Sequence, residues 1–168
     1  TDEEIDEYVN NAISEAKDAY ENELEKYEQG YTSVYLPEGT KTVKQIFIKL
    51  EDADISEIMA YRNDGDDETA DKLKAEKLAE IEDEAKAALD ELKSGTAWDD
   101  VQVKYNDDSA GNASTYVVYP KSNLISEEII NGVMSLENKG DFTELISTDA
   151  GYYIFLYLDD AKVDLETI

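Results

Sequence analysis

Between Val43 and Leu50 the chain reads VKQIFIKL, with Val43, Gln45, Phe47 and Lys49 on one face and Lys44, Ile46, Ile48 and Leu50 on the other. That is the period of a β-strand. From Thr148 to Asp160 a turn signal runs into TDAGYYIFLYLDD, where Ile154 to Leu158 are too apolar for an exposed strand and predict a central one covered on at least one face. The two runs lie more than a hundred residues apart, so their pairing predicts one domain closed by its ends. Helical spacing fills much of the rest. Ile5, Tyr8, Val9, Ala12, Ile13, Ala16, Tyr20, Leu24 and Tyr27 recur at steps of three and four, predicting one amphipathic helix with Thr1 and Glu4 as capping box and Gly30 as stop.

Tyr31 to Pro37 reads as an extended linker, and Pro37 with Gly39 marks a boundary. The acidic run from Glu51 to Glu68 is poorly periodic; Ile55, Ile58 and Met59 suggest a short helix broken at Gly65, a mobile excursion. From Thr69 to Lys93, Leu73, Leu78, Ile81, Ala85, Ala88, Leu89 and Leu92 form an apolar stripe ended by Ser94-Gly95. Thr96 with Asp99 offers an N-cap for a short helix turning Trp98, Val101 and Tyr105 inward. Asn106 to Ser114 is a loop by composition, and Thr115 to Tyr119 is a short strand stopped by Pro120. Ser126 to Leu136 returns to helical spacing, and Lys139-Gly140-Asp141 turns the chain into Phe142 to Ser147 and the final strand. The order is strand, several helices, strand, helix, strand, strand.

Composition changes this picture in two ways. Forty-two Asp and Glu against 15 Lys and Arg give a net charge of -27, which repels nucleic-acid backbones and anionic membrane surfaces and argues against nucleic acid as a partner. So much acid suggests disorder, but 41% apolar residues and 12 tyrosines argue for a folded, heavily solvated protein. No segment approaches the ~20 apolar residues of a membrane span. Absent cysteine and histidine exclude disulfides, thiolate chemistry, the usual zinc sites and histidine-based nucleophilic triads, and no cofactor is expected. The acidic run Asn63 to Glu68 lacks the alternation of a calcium loop, so no metal site is assigned. The chain begins at Thr1 without an initiator Met or signal peptide, as a processed or trimmed piece of a longer protein would.

Four stretches together cover nearly everything from Val43 to Asp160: VKQIFIKL at 43–50, LDELKSGTAWDDVQVKYNDD at 89–108, LISEEIINGVMSL at 124–136 and GDFTELISTDAGYYIFLYLDD at 140–160. Their order and spacing resemble the parvulin family of peptidyl-prolyl cis-trans isomerases. The acidic helix ahead of them resembles the arm of secreted foldase lipoproteins and related periplasmic chaperones. The resemblance implies an α+β fold, a four-stranded antiparallel sheet flanked by helices with a shallow proline-binding cleft. It divides the chain into a helical arm at 1–36, with eleven acids against Lys17 and Lys26, and a parvulin-like domain at 37–168. The arm's apolar stripe is expected to pack on a neighbouring chain or on further segments, with self-association as one outcome.

The resemblance also places candidate residues. Gln45 and Tyr153 stand where the family usually carries its two histidines, and Asp108 occupies the family's Cys-or-Asp position. Ile125 and Ile129 fall on the proline pocket, with Met134 at a further aromatic position, and Asn112-Ala113-Ser114 replaces the usual glycine pair. The expected site is catalytic Asp108, Tyr153 and Gln45 with substrate-binding Ile125, Ile129 and Met134. Gln45 is expected to bond to Tyr153 across adjacent strands, and Asp108 to accept from Tyr153. Plainer readings stand beside these: Tyr153 as a core tyrosine, Asp108 as a solvated loop acid, Ile125 and Ile129 as ordinary helix packing. Two functions remain open, both acting on unfolded or proline-containing polypeptide: a parvulin-type isomerase and foldase weakened by its missing histidines, or a noncatalytic chaperone module. The resemblance implies an extracellular or cell-envelope location, membrane-anchored in the full-length protein.

Overall fold

The computed structural model describes residues 1–163. Among them are six helices, α1 (Asp2–Asn22), α2 (Leu24–Gly30), α3 (Asp52–Asn63), α4 (Asp67–Lys93), α5 (Trp98–Tyr105) and α6 (Glu127–Met134). Four strands, β1 (Lys41–Lys49), β2 (Tyr116–Val118), β3 (Ile146–Thr148) and β4 (Gly151–Asp160), form one antiparallel sheet ordered β2-β1-β4-β3. The fold is α+β. None of the described helices is long and apolar enough to cross a membrane.

The alternation in the sequence sets the two faces of the sheet. Gln45 lies opposite Phe155 and Phe47 opposite Tyr153, so these four side chains share a face. That face joins Val43, Val118 and Phe155 to Ile130 and Val133 of α6. The other face carries Ile46, Ile48 and Ile154 onto Ala85, Ala88, Leu89 and Leu92 of α4 and Val101 of α5. β1 and β4 are buried on both faces in mid-strand because each is central, which explains their dense apolar runs. Gly151 opens β4 where a β-carbon would stand 2.1 Å from the Ile48 carbonyl oxygen, and its φ of 146° disfavours any side chain.

Four elements depart from the sequence expectation. The segment after Leu50 is a packed helix rather than a mobile excursion: Ile58 of α3 is fully buried with Leu50, Ala70 and Leu78. Arg62 fastens its end, donating to Asp149 before β4 and to Asp67 and Asp71 on α4. The N-terminal helix breaks at Glu23, whose φ of -139° is not helical. The break lets Tyr20 and Tyr27 meet edge to face, 5.0 Å apart, and close on Tyr119. The Tyr20 end of the stripe therefore packs within the chain and not on a neighbour, while Ile5 and Tyr8 remain exposed. α4 begins two residues before Thr69, with the Asp66 side chain accepting the Thr69 N–H. α5 starts at Trp98 behind Ala97, without the side-chain cap expected from Thr96.

Candidate functional site

β2 is short, and this exposes an edge of β1. It pairs with β1 only at Lys41, Thr42 and Val43, leaving the polar backbone of Gln45 to Lys49 to find other partners. The loop after α5 supplies them. Asn106 Oδ1 accepts the Phe47 N–H at 2.9 Å, the Asp107 N–H donates to the Phe47 carbonyl at 2.7 Å, and Asp107 Oδ2 accepts the Lys49 N–H at 3.1 Å. Buried Gln102 on α5 donates from Nε2 to the Gln45 carbonyl at 2.9 Å. Asn106 and Asp107 thus stand in for a strand along this edge of β1.

Docked in this way, the loop delivers Asp108 to the face that holds Gln45. Gln45 Nε2 donates to Asp108 Oδ2 at 2.9 Å, and the Tyr116 hydroxyl donates to the same oxygen. The Ala110 N–H donates to Asp108 Oδ1 at 3.0 Å, closing a side-chain turn. Burial pushes the Asp108 carboxyl up, but the bonds from Tyr116, Ala110 and Gln45 outweigh it and hold the group below the ordinary carboxylate range. The Tyr116 phenol is pushed up to about 12 by burial and by the Asp108 charge. Gly111, with φ of 89°, supplies the left-handed residue this loop needs, just before Asn112-Ala113-Ser114.

Beside this polar cluster lies a cleft of about 270 Å³ lined by Gln45, Tyr116, Val118, Ile125, Ile129, Tyr153 and Phe155, with Leu124 at its rim. Tyr153 is stacked between Phe47 and Phe155, with ring centroids at 4.3 and 5.5 Å and planes nearly parallel. Burial and then the Asp108 charge raise its phenol. A more open depression of about 600 Å³ continues past Ser126, Ile129 and Tyr153 towards Arg62, Lys74 and Asp149.

Five of the six residues singled out in the sequence, Gln45, Asp108, Tyr153, Ile125 and Ile129, meet at this cleft or in the cluster at its end. Met134 does not: it packs beneath, around Val43, Ile130 and Val133, and its carbonyl accepts from Lys41 Nζ at 3.2 Å. The hydrogen bonding also differs from expectation. Asp108 accepts from Gln45 and Tyr116, and Tyr153 is held by stacking instead. Sequence reasoning missed Tyr116, Gln102 and Asn106. A signal existed for Tyr116, because antiparallel pairing opposite Val43 sets it on the Gln45 face.

The arrangement offers an apolar slot of about 270 Å³ bordered by Tyr153 and Phe155 and by the Gln45 amide, which Asp108 holds in place. No protein-family model matches the chain, and no curated protein matches it.

Proposed function

We propose that the cleft binds extended, proline-containing polypeptide and that the protein is a parvulin-type peptidyl-prolyl isomerase and foldase of reduced power. The observation that carries the reading is the meeting of Gln45, Tyr116 and Asp108 beside an apolar slot lined by Ile125, Ile129 and Phe155. Prolyl isomerisation breaks no covalent bond. The catalyst lowers a rotational barrier of ~18–20 kcal/mol by favouring the twisted amide over the planar one. The slot takes the pyrrolidine ring out of water, Tyr153 and Phe155 limit its rotation, and the Gln45 side-chain Oε1 is an acceptor for a client N–H. Asp108 fixes the Gln45 amide orientation and places negative charge beside the twisting bond. An acidic arm preceding such a domain also supports a role in the folding of exported proteins at the cell envelope.

A second reading, a noncatalytic chaperone module using the same cleft, is favoured by one observation. Asp108 is occupied by donors from its own chain, and Tyr153 is stacked rather than aimed at it, so the polar groups hold the sheet together first. A protease-coupled assay on a short prolyl peptide separates the two. The expected result is weak acceleration that falls further in Asp108→Asn at equal folded fraction. Peptide binding without acceleration establishes the second reading, and neither binding nor acceleration overturns both.

A further inference from the structure

The outer wall of the cleft, Leu124 to Ser126, follows Pro120, which has no N–H to continue a ladder, and Leu124 is 76% exposed. The wall is held from behind by the arm. Glu28 on α2 accepts the Asn123 N–H on Oε1 at 2.7 Å, and on Oε2 the Ser122 hydroxyl at 2.6 Å and the Tyr119 hydroxyl. Ser122 Oγ in turn accepts the Leu124 N–H at 2.9 Å. One carboxylate therefore organises the backbone from Tyr119 to Leu124, and the packing of Tyr20 and Tyr27 on Tyr119 fixes α2 in place to present it. Burial pushes the Glu28 carboxyl up, but its donors outweigh that and hold it below the ordinary range, so it is charged at neutral pH.

Resting on the reading of the cleft as the client site, we propose that Glu28 is a positioning residue that couples the docked arm to the cleft wall, so that client affinity depends on α2. Glu28 touches no client. It sets where Leu124 and Ile125 stand when a client arrives, which removes part of the ordering cost of binding.

The test uses the full chain and a fluorescein-labelled Ala-Leu-Pro-Phe peptide, with anisotropy for affinity and amide hydrogen exchange for the wall. Glu28→Ala is expected to weaken binding by about fivefold to tenfold. It should speed exchange at Asn123 and Leu124 while leaving Ile46 and Ile154 unchanged, a pattern that general destabilisation would not produce. Glu28→Gln, which keeps one acceptor, should recover part of the affinity, and Glu25→Ala, on the same helix but outside the network, should bind as the native chain does. Equal affinity of the native and Glu28→Ala chains overturns the inference alone. A native chain that binds no peptide overturns the reading of the cleft and the inference with it. Should Glu28→Ala fail to fold, the affinity and exchange of Glu28→Gln decide on the same terms.

Discussion

Asp108 remains charged while half-buried because three donors converge on it, and each donor comes from a different part of the chain: Gln45 from β1, Tyr116 from β2 and Ala110 from its own loop. Tyr116→Phe removes one hydrogen bond to a charged group and should cost about 1.5–3 kcal/mol at pH 7, read as a lower urea midpoint. The pH dependence has a definite sign. With its folded pKa depressed, Asp108 contributes stability that is present above the unfolded carboxylate value and is lost as pH falls through the folded one. The gap between native and Tyr116→Phe midpoints should therefore be constant from pH 8 to about pH 5 and shrink below about pH 4. A gap that persists unchanged at pH 2 would show that the phenol contributes by packing alone. Any isomerase rate should likewise be flat between about pH 6 and 8, since Asp108 titrates below that window and Tyr116 and Tyr153 above it. A rate changing several-fold across it would point to a group not placed here.

Among the elements, β4 is defined by what its first residue lacks. Gly151→Ala sets a β-carbon against the Ile48 carbonyl in the central strand pair and should destabilise by more than about 1 kcal/mol. Gly30→Ala, at the end of α2 with open space around it, should be neutral or stabilise by up to about 1 kcal/mol. Denaturant midpoints of the pair check both, and equal losses at the two positions would refute the steric argument. The Gly-Tyr opening of β4 and the alternation of β1 were legible in the sequence because both report sheet burial directly. The break at Glu23 was not, since no Gly or Pro marks it and the apolar spacing runs straight through from Tyr20 to Tyr27. Only the gathering of tyrosines around Tyr119, a contact across some ninety residues, fixes it. α3 was misread for a related reason: a helix with one fully buried apolar residue, Ile58, has little periodicity to show, and Arg62 finds Asp149 only once the chain is folded. At the site, Gln45, Asp108 and Tyr153 were placed together correctly, but which of them bond depended on the short β2 bringing Tyr116 to Asp108.

For the molecule as a whole, the arm divides at the boundary between exposed and docked residues. Removing 1–13 deletes exposed Ile5 and Tyr8 with part-buried Val9, Ala12 and Ile13 and should lower the unfolding free energy by less than about 0.5 kcal/mol. Removing 1–36 uncovers Tyr119 and loses edge-to-face pairs each worth about 0.5–1.5 kcal/mol beyond their burial, so it should destabilise by several times that of the shorter deletion. Equal stability of the two truncations would return the arm to the status of an appendage. The charge of the whole chain sets a final expectation. Surface pairs such as Lys86 with Glu82 and Lys139 with Asp159 are weakened by salt, but exposed pairs of this kind contribute little. Fifteen cations can neutralise at most 15 of 42 acids, leaving 27 whose mutual repulsion disfavours the compact state. At 10 mM salt the screening length is about 30 Å and this repulsion spans the molecule; at 0.1 M it falls to about 10 Å. Repulsion among the excess acids is long-ranged and the pairs are local, so screening removes more of the first than of the second. Raising NaCl from 10 mM to 0.5 M should therefore raise the thermal midpoint, and a midpoint that falls would mean that attractive pairs, not excess charge, dominate the electrostatics of this fold.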